Sequence, residues 1–91
     1  MACQQRCVVF DGDVQGVGFR YTACRMAEGY EVTGSVRNLP DGRVECLMEG
    51  EADEIDRFLA ALAQRMGDYI RSTTQQTAPP TGAYRTFTVA F

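Results

Sequence analysis

The segment Gly12-Asp13-Val14-Gln15-Gly16-Val17-Gly18-Phe19-Arg20 decides how this chain is read. It follows a short apolar run, Arg6 to Gly12, and leads into residues spaced for a helix. It therefore marks a strand that passes through a glycine-bearing loop into a helix start. Glycines let successive backbone N–H groups converge on one point, and a helix N-terminus adds unpaired donors and partial positive charge. Arg20 contributes a permanently charged planar fork that suits phosphate. The segment reads as an anion cradle, with Phe19 as the core residue that anchors it. A turn bearing only Gly16 and Gly18 would be an ordinary turn. Position 21 is not a third glycine, so the dinucleotide-binding fingerprint is absent.

Working outward, Val8 and Phe10 fall on one face of the first strand and Cys7 and Val9 on the other, the pattern of a central strand. Phe19, Ala23, Met26 and Ala27 recur at helical spacing up to Glu28, and Gly29 supplies the stop. A second strand is predicted from Tyr30 to Asn38, with Val32, Gly34 and Val36 on one face. The turn Leu39-Pro40-Asp41-Gly42 then leads to a third strand, Arg43 to Met48, closing a hairpin. Asn38 shares the parity of Val32 and Val36. It is expected on the apolar side, where the helices lie and where Arg20 begins the first of them. Arg37 and Arg43 are expected on the solvent side, and Asp41 reads as a turn former.

Residues 52–66 give the clearest helix, with Ile55, Phe58, Leu59, Leu62 and Met66 on one stripe and Asp53 and Glu54 near its N-terminus. Tyr69 to Gln76 is polar enough for an edge strand. Thr77 to Gly82 reads as a loop, and Phe87, Val89 and Phe91 mark a final strand. The predicted fold is α+β, a ferredoxin-like βαββαβ sandwich with an added C-terminal strand, in which two helices cover one face of an antiparallel sheet. Residues 1–91 are expected to form a single domain.

The chain has no histidine, lysine or tryptophan, so all nine cations are arginines. Ser-His and Cys-His nucleophile pairs, Schiff bases, a P-loop lysine and histidine-ligated zinc are thereby excluded. A net charge of −3 and a pI near 4.8 argue against a nucleic-acid partner, which selects for clustered basic residues. Cysteines at positions 3, 7, 24 and 46 fit neither a CxxC redox motif nor paired zinc knuckles. Cys7, Cys24 and Cys46 fall on apolar registers and read as small core residues of a reducing compartment. With no run of ~20 apolar residues and no signal peptide, a cytoplasmic location and no membrane partner are expected.

With Arg20 and Asn38 placed, the chain resembles the acylphosphatase family over its whole length. The resemblance is carried by Val14-Gln15-Gly16-Val17-Gly18-Phe19-Arg20 and by Gly34-Ser35-Val36-Arg37-Asn38-Leu39-Pro40-Asp41-Gly42. It is loosest between Gln64 and Tyr84 and at the Phe87–Phe91 end, where family members commonly finish on a basic residue and tyrosine. The resemblance implies hydrolysis of acyl phosphates to carboxylate and inorganic phosphate, with no metal and no cofactor. It implies that Arg20 and the backbone amides of Gln15, Gly16, Val17, Gly18, Phe19 and Arg20 bind the phosphoryl group. Asn38, the one asparagine of the chain, would hold the attacking water. A monomer acting on small molecules is expected.

The chemistry is consistent with the missing histidine. An acyl phosphate expels a carboxylate whose conjugate acid has a pKa of roughly 4–5, so no general acid is needed. A phosphate monoester expels an alkoxide and demands a proton donor or a metal. Asp13 beside the loop would repel an anion unless it points away. Two alternatives stay open at this level: a non-catalytic anion-binding module, and the acylphosphatase-like domain of a larger hydrogenase-maturation carbamoyltransferase.

Overall fold

The computed structural model describes residues 3–90. The chain runs through β1 (Cys3–Gly12), α1 (Phe19–Ala27), β2 (Thr33–Asn38), β3 (Val44–Glu51), α2 (Ala52–Met66), a 3-10 turn (Gly67–Tyr69), β4 (Ile70–Ala78) and β5 (Phe87–Val89). Phe91, read as the end of the last strand, lies outside the described residues. The strands form one sheet in the order β4-β1-β3-β2-β5, with β1 and β3 central.

Strand alternation sets the core. Val8 and Val36 both pair with Cys46, while Phe10 and Asn38 both pair with Val44, so these rows lie side by side on the helix-bearing face. Val8, Phe10, Val36, Val44, Cys46 and Met48 are buried there against Phe19, Ala23 and Ala27 of α1 and Ile55, Phe58, Leu62 and Met66 of α2. Leu59, expected on the same stripe, lies at its margin and is half-buried. Phe58 meets the rings of Tyr30 and Phe87 edge-on at 5.8 and 5.5 Å. Burying one such ring contributes about 1.5–3 kcal/mol. Arg6 shares the apolar face of β1 and is nevertheless buried, because Asp56 of α2 pairs with its guanidinium and the Gln4 side chain accepts from it. No helix among the described residues is long and apolar enough to cross a membrane.

The expectation of an antiparallel sheet holds for four strands, but β5 runs parallel to β2. The reason is the direction of arrival. β4 runs antiparallel to β2 and therefore ends where β2 begins. The crossing segment 79–86 enters the far edge at that end, and the new strand must follow β2. Backbone bonds from Gly34 N–H to Thr86 O and from Ala90 N–H to Val36 O extend the pairing at both ends.

Glu49 of β3 holds this crossing segment. Its side chain lies on the sheet face opposite the helices, only 7% exposed. Its carboxylate accepts hydrogen bonds from the Thr81 hydroxyl (2.6 Å), the Thr81 and Gly82 N–H groups (both 2.9 Å) and the Gln5 amide (2.9 Å). Burial alone would raise its pKa, but these donors, led by Thr81, hold it at about 2 instead of the ordinary 4.5. A depressed carboxylate pKa stabilises the native state fully above the ordinary value, and that stabilisation is lost as pH falls towards the native one. Glu49→Gln is therefore expected to melt below the native protein at neutral pH. The gap should narrow as pH drops from about 4.5 to about 2, as read by thermal unfolding across that range.

Candidate active site

Between β1 and α1 the chain turns through residues 13–18. Val14 is fully buried and pins the loop to the core, and Phe19 packs against Phe10 with tilted rings, their centroids 5.0 Å apart. Gly16 and Gly18 have φ of 78° and 79°, a left-handed conformation that side-chain-bearing residues rarely adopt. A Cβ at either would meet nothing within 4 Å, so the requirement is conformational and not one of space. Gly18 caps α1, and no acidic residue occupies the first turn of that helix. Its partial positive charge is therefore not neutralised from within the turn.

The loop and the β2–β3 hairpin are joined by one side chain. The Gln15 amide donates to Leu39 O (2.8 Å) and to Arg43 O (2.9 Å). The same two carbonyls accept from Gly42 N–H and Leu39 N–H in closing the turn, so each uses both lone pairs. Asn38, the last residue of β2, immediately precedes this turn. Asp41 accepts from the Arg43 backbone N–H at 3.1 Å and from its guanidinium at 2.8 Å. The backbone bond foremost, with the Arg43 guanidinium, lowers its pKa, and it serves as the turn former that its place in the sequence implied.

These elements enclose a cleft of about 340 Å³ lined by Val14, Gly16, Gly18, Phe19, Arg20, Tyr21, Cys24, Asn38 and Val89. Arg20 from the start of α1 and Asn38 from the end of β2 thus face one space. Gln15 and Val17 do not line it: the Gln15 side chain is committed to the hairpin, and Val17 packs against the core. Asp13 lines a separate cleft with Asp68 and Arg71 and is not among the residues lining the one that holds Arg20. Arg37 lies on the opposite sheet face, where it pairs with Glu45 at 2.9 Å. Cys24 has its thiol pKa raised, by burial first and by the Glu28 carboxylate second.

A family model described as acylphosphatase matches residues 6–89. The chain belongs to the acylphosphatase family. It is 38% identical to an acylphosphatase of Bacillus velezensis, over 92% of this chain and 94% of that protein. It is 52% identical to an acylphosphatase of Bordetella parapertussis over 52 residues, 57% of this chain and about half, 55%, of that relative's length. The structure of an acylphosphatase from Bacillus subtilis superposes with a TM-score of 0.86 at 28% identity, covering 97% of this chain and 99% of that one. The ferredoxin-like fold read from the order of the elements is the fold of these neighbours.

Three contributions escape a reading of the sequence. Cys24 could have been found, since it lies four residues beyond Arg20 on the same helical face. Val89 could not, because its place depends on the direction of β5. Gln15 was expected to offer its backbone, yet it is the side chain that fastens the loop. Each of its two bonds is worth about 0.5–1.5 kcal/mol net, so Gln15→Ala is expected to lose roughly 1–3 kcal/mol in urea denaturation. Gln15→Glu should lose more, because a carboxylate would then face two carbonyl oxygens.

Proposed function

We propose that the chain hydrolyses the carboxyl–phosphate bond of acyl phosphates, releasing a carboxylate and inorganic phosphate. The observation that carries this reading is the meeting of Arg20 and Asn38 in one cleft at the N-terminus of α1. In the proposed reaction charge gathers on the carboxylate oxygen as its bond to phosphorus lengthens, while Arg20 and the amides of the 15–20 loop hold the phosphoryl oxygens, over which the transition-state charge is spread. A preorganised donor at such a position is worth about 10²–10³ in rate. Asn38 accepts a hydrogen bond from water and fixes its line of approach to phosphorus.

As the water oxygen bonds to phosphorus, the bond from phosphorus to the acyl oxygen breaks and its electron pair leaves with the carboxylate. The water proton passes to a phosphate oxygen. A loose phosphoryl-transfer transition state places little demand on a general base, so an amide that positions water without taking its proton is sufficient. The net charge of −3 does not outweigh the local cradle, because surface charge is screened over about 8 Å at physiological salt.

The same reading has the chain working as a monomer on small molecules, without a nucleic-acid partner. Burial of Cys46 as a small core residue supports a reducing, cytoplasmic setting.

The test is hydrolysis of benzoyl phosphate in EDTA. Native chain should turn it over rapidly and act only weakly on p-nitrophenyl phosphate, whose leaving group is a phenolate. Arg20→Gln should lose both turnover and phosphate affinity. Asn38→Ala should lose about 10²–10³ in kcat while phosphate affinity stays within a few-fold. Normal turnover by Asn38→Ala would remove its assigned role, and a folded native chain without turnover would remove the reaction.

A further inference from the structure

Beyond Arg20 and Asn38, the cleft is walled by Tyr21, Cys24 and Val89 over a floor of Val14 and Phe19. Its volume, about 340 Å³, falls within the range of small-molecule sites and leaves room beyond a phosphoryl group. Among the described residues no carboxylate and no second guanidinium lines it. Whatever extends past the phosphoryl end therefore meets an aromatic ring, a thiol and a branched aliphatic side chain.

Contacts within the protein support the Tyr21 and Val89 walls. Tyr21 is 66% exposed, a setting in which a ring would ordinarily change rotamer. Arg25, one turn further along α1, donates to its hydroxyl at 3.1 Å and carries its guanidinium 5.8 Å from the ring centroid. The guanidinium thus lies against the ring and engages its hydroxyl. Cys24 stays a neutral thiol and behaves as a small hydrophobe. Val89 is delivered by β5, whose approach is secured by the Glu49 carboxylate.

We propose that Tyr21, Cys24 and Val89 form an acyl subsite that selects acyl phosphates with an uncharged apolar acyl group, aromatic ones foremost. This rests on the acyl-phosphate reading above. An aromatic acyl group would exchange water for the Tyr21 ring and the Val89 methyls. An acyl chain ending in a carboxylate would lose hydration against the same walls without gaining a partner. An acetyl group would leave them wet.

Acylphosphonates, in which the acyl carbon is bonded directly to phosphorus and the cleavable bridging oxygen is missing, bind without being cleaved and report the subsite separately from turnover. The experiment is calorimetric titration of the full chain, of Tyr21→Ser and of Val89→Ala with benzoylphosphonate, acetylphosphonate and 3-carboxypropanoylphosphonate. Native chain should bind the benzoyl compound about tenfold or more tighter than the acetyl one, the discrimination that a hydrophobic pocket can supply. The carboxylate-tailed compound should bind weakest. In both variants the benzoyl-to-acetyl ratio should fall towards one. Tyr21 is exposed, so Tyr21→Ser keeps its fold and carries the test even if Val89→Ala does not.

A ratio near one in the native chain, tightest binding of the carboxylate-tailed compound, or an undiminished ratio in Tyr21→Ser would overturn the proposal. Benzoyl phosphate hydrolysis, measured in parallel, separates the two levels. Selective binding without hydrolysis keeps the subsite and removes the reaction, whereas hydrolysis without selectivity keeps the reaction and removes the subsite.

Discussion

Both N–H groups of the Gln15 amide are committed to the carbonyls of Leu39 and Arg43, and the arrangement of the cleft depends on that commitment. The glycine loop and the hairpin arise from different parts of the chain, and the sheet alone brings them only to the same end of the molecule. A loop with two left-handed glycines is conformationally permissive and costly to order. Val14 and Phe19 hold it from below, in the core, while Gln15 holds it from the side, against the turn that follows Asn38. The distance between Arg20 and Asn38 is thereby set by rigid elements and not by the loop's own preferences.

A second polar group does comparable work on the opposite face of the sheet. A buried carboxylate is costly unless its lone pairs are matched by donors, and Glu49 is matched by four. Two of these come from backbone N–H groups of the crossing segment, which would otherwise need water or another partner. The result couples a charge behind the sheet to the placement of β5, and through β5 to Val89 in the cleft.

Much of this was legible in the residues, for identifiable reasons. Helix α2 occupies Ala52–Met66, the span that the sequence marks, because its apolar stripe and the following Gly67 are both unambiguous. The position of Asn38 followed from period-two alternation alone, since Val36 beside it could only face the core. Other features were hidden because they belong to no local pattern. β4 runs on to Ala78 through residues that read as loop, since its exposed side chains follow no alternation and only the pairing with β1 defines it. Tyr30, Glu31 and Val32 were read as strand, yet they precede β2, with Tyr30 packed on Phe58. The parallel direction of β5, the side-chain bonds of Gln15 and the donors around Glu49 all join residues far apart in the sequence.

The origins of the cleft's lining bear on how that lining can vary. Arg20 and Asn38 reach the cleft from one helix start and one strand end within residues 14–38, whereas Val89 comes from the last strand of the sheet. Tyr21 and Cys24 share the helix that Arg20 begins, whereas Val89 lies in a separate stretch of sequence with a tolerance of its own. Exchanges in the final strand, or at the single residue after Arg20, can therefore reshape the walls of the cleft while Arg20 and Asn38 keep their places.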